Sequence, residues 1–210
     1  MTEEYGGFLH VPEVDADEAK ITTDKAARSL AEAGLPVDKA SVYFRNLTRA
    51  GLVHPYSRQK TGKKAYYFKP DQIVIAAVLW RMAEAGIAGE ELRKAASQAA
   101  SRAMSTWRAE DLGMTQEDMQ AGRFPLVPSS PALAALVAYI QGRRGFSFEL
   151  MTQRNRKTGD LWHSARIGNA NGGFTNFTLQ KHDDWENRSV FALDLDNVLA
   201  HLTRPREVAN

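Results

Sequence analysis

Apolar residues recur along this chain with two different periods, and the change of period divides it. From residue 21 to about residue 107 they fall at spacings of three and four, as on one face of a helix. Beyond residue 145 short apolar and aromatic runs separated by turn residues predict strands instead.

Residues 21–34 predict a first helix. Ala26, Ala27, Leu30 and Ala31 form its apolar stripe, Thr22 or Thr23 can cap its start, and Gly34 can end it with positive φ. After the short turn Leu35-Pro36-Val37, Asp38 is placed to cap a second helix over residues 39–50. Two short helices joined by a Gly-containing turn are a helix-turn-helix pattern. The 3.6-residue period puts Ala40, Tyr43, Phe44 and Leu47 on the core side of the second helix. Ser41, Val42, Arg45 and Arg49 fall on the opposite side.

His54-Pro55 stops helix continuation. Thr61-Gly62 lies between two segments suited to strands, predicting a hairpin whose tip carries Arg58, Lys60, Lys63 and Lys64. Pro70-Asp71 restarts a helix that runs to Gly86, and an Ala-rich helix follows over residues 90–107. Its stripe of Leu92, Ala95, Ala96, Ala99, Ala103, Met104 and Trp107 suits either a dimer seam or an intramolecular face. Residues 125–131, with three prolines and two serines, predict a boundary across which few contacts pass. Ser130 can cap a helix over residues 132–141. Strands are expected over residues 146–150, 161–167, 174–179 and 189–195. A last short helix over residues 197–202 can be capped by Asp196 or Asp194.

The fold class that follows is α+β: an N-terminal winged helix-turn-helix, a helical connector, and a C-terminal antiparallel sheet with helices. The expected segments are an acidic flexible tail at residues 1–20, the winged domain at 21–88, the connector at 89–128, and a dimerisation or effector domain at 129–210.

Charge sharpens this picture. The chain of 210 residues has a formal net charge of only +2, yet residues 39–69 hold eight Lys and Arg and no Asp or Glu. Clustered cations interleaved with aromatics suit a polyanion, because each neutralised phosphate releases counterions. The lesser alternative is a solvated basic face. Arg is shaped for both guanine edges and phosphates. On this reading Ser41, Val42, Arg45 and Arg49 enter the major groove of double-stranded DNA, while Tyr56, Arg58, Lys60, Lys63 and Lys64 line the wing on the backbone.

The stretch 21–91, roughly a third of the chain, resembles the DNA-binding domain of the MerR family of transcriptional regulators. Arg45 and Arg49 precede Gly51-Leu52-Val53, where that family has basic and aromatic residues before Gly-Leu-Leu. Pro55 and Arg58 precede Gly62 at the spacing of its wing. Tyr66, Asp71, and a helix ending Met-Ala-Glu-Ala-Gly-Ile before Glu90-Glu91-Leu92 match the rest of its pattern. Asn46 and Leu47 replace the family's aromatic pair, Lys63 stands where an aromatic is common, and other winged-helix regulators share the pattern up to Phe68. The resemblance implies a sequence-specific transcriptional regulator acting as a homodimer. Its C-terminal half would oligomerise, sense a ligand or touch RNA polymerase. The alternative is an architectural or recombination accessory protein, an excisionase-like DNA bender.

Enzymatic chemistry finds little footing. No cysteine is present, so thiolate metal sites and cysteine nucleophiles are excluded. The five histidines share no metal-ligand spacing, and His182-Asp183-Asp184 reads as a solvated turn. His163 alternates with Leu161, Ala165 and Ile167 and so reads as a hydrogen-bonded core histidine. A pocket joining it to Asp160 and Arg166 would argue for a catalytic site. Asn169-Ala170-Asn171-Gly172-Gly173 lacks the Lys-Ser/Thr and helix of a phosphate cradle. Trp162, Phe174, Phe177 and Trp185 suit a core better than a ligand pocket. No enzyme, cofactor or metal is expected. With no membrane-length apolar run and an acidic, polar start, a cytoplasmic location is expected, nucleoid-associated if the cell is bacterial.

Overall fold

The computed structural model describes residues 21–58, 66–101, 130–169, 177 and 179–203. Helix α1 (Thr23–Glu32) starts where Thr22 accepts the amide of Lys25, buries Ala26, Ala27 and Leu30, and ends before Gly34 at φ 101°. The two residues ahead of it are not helical: Ile21–Thr22 form strand β1. Helix α2 (Val37–Arg49) begins two residues earlier than the pattern predicts. Its N-cap is Pro36 with no side-chain cap bond, so Asp38 sits inside the first turn. The Pro36 carbonyl instead accepts the amides of Lys39 and Ala40. Gly51, at φ 66°, turns the chain out of α2, and the Leu52 amide returns to the Leu47 carbonyl.

Strands β2 (Ser57–Arg58) and β3 (Tyr66–Phe68) pair antiparallel, with Ser57 opposite Tyr67 and Arg58 opposite Tyr66. Strand β1 pairs with the other edge of β3, Ile21 opposite Phe68, so the hairpin belongs to a three-stranded sheet in the order β1-β3-β2.

Helix α3 (Pro70–Glu84) is the central element. Every residue from Pro70 to Leu79 is buried, polar Asp71 and Gln72 included, and α1 and α4 pack on it. From Ile73 to Leu79 it is apolar around its circumference, so that stretch has no face to offer water. Helix α4 (Glu90–Ser101) buries Ala96, Ser97 and Ala100. The continuation expected to residue 107 lies outside the described residues. Helix α5 (Pro131–Ile140) has Ser130 as its cap, as the Ser-Pro pair predicts.

The second sheet is antiparallel and three-stranded, in the order β5-β4-β6. Strands β4 (Phe146–Asn155), β5 (Leu161–Asn169) and β6 (Trp185–Asp194) are all longer than the apolar runs that announce them. Of the strand expected over residues 174–179, only Phe177 and Leu179 are described, and neither is in a strand. Phe146, Phe148 and Leu150 of β4 and Ala165 and Ile167 of β5 face inward. Helix α4 lies along β5, and the last helix α6 (Leu195–Leu202), capped by Asp194, lies against β4.

The architecture is thus α+β. Elements on either side of the 125–131 segment share one continuous set of buried side chains, running from Ile21 to Leu202. Helix α3 contacts α5 and α6 as well as α1 and α4, so contacts between the two halves are extensive. Among the described residues, no helix is long and apolar enough to cross a membrane.

Candidate nucleic-acid interface

Helix α2 is held rigidly by its inner face. Ala40, Phe44 and Leu47 are fully buried, and Phe44 meets Phe68 of β3 edge-on at 4.8 Å between centroids. Half-buried Tyr43 meets Trp80 of α3 in the same way at 5.4 Å. Burial pushes the Tyr43 hydroxyl far above its usual pKa, with the Arg93 guanidinium partly opposing, so it stays neutral. These two aromatic contacts tie α2 to the sheet on one side and to the central helix on the other.

The outer face is open. Asp38, Lys39, Val42, Arg45, Asn46 and Arg49 are exposed, Val42 by 57%. At 100° per residue these positions span an arc of roughly 120°, centred near Val42 and Arg49. Ser41 falls outside that arc and is half-buried, so of the four helix residues singled out from the pattern, Val42, Arg45 and Arg49 share the open face and Ser41 borders it. Asn46 and Lys39 complete the face. Asn46 was legible as the residue four beyond Val42, although composition drew attention to the arginines. Neither the Arg45 nor the Arg49 side chain makes a hydrogen bond or ion pair with any described residue. Their guanidinium groups keep their donors available.

Next to α2 is the hairpin. Tyr56 is exposed, its amide donates to the Tyr67 carbonyl, and the Lys69 ammonium lies 6.0 Å from its ring centroid. Tyr66 is exposed as well. Arg58 is the last described residue of β2, and Lys60, Lys63 and Lys64 lie outside the described residues.

The base of the hairpin is anchored by buried polar bonds. Gln72 Oε1 accepts the His54 amide at 2.7 Å, and Gln72 Nε2 donates to Asp71 Oδ2 at 3.1 Å. Ser130, from the far side of the chain, donates its hydroxyl to the same Asp71 oxygen at 2.8 Å. Ser97 of α4 donates to the Leu52 carbonyl at 2.6 Å. Burial raises the Asp71 carboxyl above its ordinary range, while the bonds from Ser130 and Gln72 and the Lys69 charge pull it back. Asp71 Oδ1 is buried with no hydrogen-bond partner among the described residues.

The candidate catalytic groups do not gather. His163 is half-buried with Nδ1 3.0 Å from Thr152 Oγ1. Burial lowers its pKa, and the nearby Glu91 carboxylate acts the other way. Ser164 and Arg166 lie on the other side of β5 by strand alternation, and Asp160 accepts from Thr158 in the hairpin turn. Arg166 is held by Glu149 at 2.7 Å, with the Phe177 ring 4.6 Å from its guanidinium. Trp162 is exposed and Trp185 half-exposed, so neither is a core residue. Phe174 is outside the described residues. Among the described residues, no cluster of three His, Asp or Glu could hold a metal.

No protein-family model, no curated protein and no solved structure matches this chain.

Proposed function

We propose that this protein binds double-stranded DNA sequence-specifically through α2 and the β2–β3 hairpin and regulates transcription as a homodimer, in the manner the MerR-like resemblance implies. One observation carries the proposal. An exposed α2 arc presents Val42, Arg45, Asn46 and Arg49 together, with both guanidinium groups unengaged among the described residues.

That arc has the chemistry of a major-groove reader. Arg donates to O6 and N7 of guanine, Asn bridges N6 and N7 of adenine, and an aliphatic Val suits a thymine methyl. The rigid seating of α2 on Phe68 and Trp80 favours specificity, because the reading side chains start from a fixed helix. The basic segment 58–64 supplies the sequence-independent phosphate term. A single module of this size gives limited affinity, and a two-fold site with two copies supplies the rest.

Selection of bound sequences from a random duplex pool with the full chain tests this, followed by footprinting on genomic DNA. Enrichment of one palindromic motif, protected once per promoter, is the expected result. Clusters of sites away from promoters would make the protein an architectural or recombination factor. Retention of no sequence above random would end the specific-binding reading.

A further inference from the structure

We propose that edge strand β6 pairs antiparallel with β6 of a second copy of this chain, with a two-fold axis at Phe191, giving one six-stranded sheet. Strand β6 is bonded along its whole length to β4, from Ser147 opposite Asp194 to Asn155 opposite Trp185. Among the described residues nothing pairs its other edge.

Past the bulge at Arg188 this edge lacks the usual protection. Solitary edges are blunted by Lys, Pro, bulges, inward charges or a covering element. The five residues Ser189–Val190–Phe191–Ala192–Leu193 carry none of these side chains. Ser189, Val190 and Ala192 are exposed, Val190 by 55%, and Phe191 and Leu193 are only half covered although both touch the core. The one irregularity is a bulge: Ser189 is opposite Thr152 and Asn187 is opposite Gln153, leaving Arg188 as the extra residue. The straight part of the strand therefore begins after Arg188.

Symmetry and charge then choose the register. In a two-fold antiparallel pair with the axis normal to the sheet, one residue faces its own copy, and opposed side chains share a face. An axis at Phe191 places Phe191 on Phe191, Val190 on Ala192 and Ser189 on Leu193. It also sets Arg188 across from Asp194 of the second copy, twice by symmetry. An axis at Val190 sets Glu186 against Asp194, like against like, and runs the bulge into the pairing. An axis at Ala192 pairs only the last few residues before α6. Opposite charges and apolar pairs across strands are the stabilising combinations, and like charges the destabilising ones. Among the described residues of one chain Arg188 reaches only Glu186, at 3.1 Å with the Arg side chain 52% exposed, so the guanidinium has donors to spare.

The chain has no cysteine, so engineered thiols report the register without background. Full-length Phe191→Cys, Val190→Cys and Ser189→Cys variants are oxidised without DNA and run on a non-reducing gel. Folding is checked by circular dichroism. With the axis at Phe191, the two Cα atoms there are about 4.5–5.5 Å apart, within disulfide reach. Two Val190 Cα atoms are then offset by two residues and lie roughly 8 Å apart, out of reach. The expected result is rapid cross-linking at 191, slow cross-linking at 190 and 189, and a wild-type dimer in sedimentation equilibrium. Arg188→Asp, which is outside the apolar centre, should weaken that dimer about tenfold or more, since two attractions become repulsions. A wild-type chain that stays monomeric at all concentrations overturns the proposal. So does a dimer that cross-links fastest at 190 or 189, or one that ignores Arg188→Asp. None of these measurements involves DNA: a dimer with another register overturns this pairing and leaves the DNA-binding reading standing, a chain that stays monomeric also removes the homodimer from that reading, and loss of sequence-specific binding leaves the β6 pairing standing.

Discussion

Replacing Ser130 by Ala tests how much the buried Ser130–Asp71 contact contributes to holding the two halves of the chain together. The Ser130 hydroxyl is 1% exposed as a residue and has two tasks. It donates to Asp71 Oδ2 at 2.8 Å, and it accepts the Leu133 amide at 3.2 Å as the cap of α5. Loss of an N-cap oxygen costs about 1 kcal/mol. Loss of the bond to Asp71 costs about 1 kcal/mol if the carboxyl is neutral and about 1.5–3 kcal/mol if it is charged. Ser130→Ala should therefore destabilise the protein by about 2–4 kcal/mol, and lower the melting temperature by roughly 4–16 °C for a chain of this size. Urea unfolding followed by tryptophan fluorescence measures this, with the m-value unchanged. Ser130→Asp separates the two tasks. Aspartate caps a helix as well as serine does, but here it faces a second carboxyl. If the Asp71 contact matters, Asp costs more than Ala near neutral pH. A loss under about 0.5 kcal/mol for Ala, or an Asp variant as stable as wild type, would refute the argument.

Three further outcomes are expected. The folded-state pKa of Asp71 is raised by burial above the ordinary 3.8, so the folded protein holds this proton more tightly than the unfolded chain. Stability should fall as pH rises from about 3.8 to the raised value, by up to about 1.4 kcal/mol per pH unit, and Asp71→Asn should remove that component; identical pH profiles for the two proteins would disprove it. Arg45→Ala should cost about 1–3 kcal/mol on the selected site and less on random duplex, whereas equal losses on both would reassign Arg45 to phosphate contact. Changing Lys63 and Lys64 together to Gln should weaken binding to all duplexes and reduce the salt slope by up to about one unit per lost phosphate contact, and an unchanged slope would place both side chains in bulk solvent.

What the sequence by itself determined is mainly local. The stripe of α1 and its Thr22 cap, the split faces of α2, the hairpin after His54-Pro55, the Ser130-Pro131 start of α5 and the Asp194 cap of α6 are written in residues close together in the chain. Helical period and capping depend on neighbours within a turn or two, so a linear reading reaches them. The outward set Val42, Arg45 and Arg49 was legible for the same reason, and Ser41 was misjudged by only one step around the helix. Tertiary structure decided the rest. Ile21–Thr22 reads as the first turn of a helix, yet pairing with Phe68 and Tyr67 makes it a strand, because ladder bonds come from a partner far along the chain. The start of α2 moved to Val37 because the Pro36 carbonyl, rather than Asp38, met the first free amides. Pro70-Asp71 reads as a helix start, and no residue nearby in the chain marks Asp71 or Gln72 as buried. Their burial follows from Ser130 and His54 arriving from elsewhere with hydrogen bonds, without which a carboxyl could not be placed there. The proline-rich segment marks a change of composition, but whether contacts cross it depends on the faces of α3. From Ile73 to Leu79 that helix is apolar on every side, and only folding could show that α5 and α6 cover what α1 and α4 leave open.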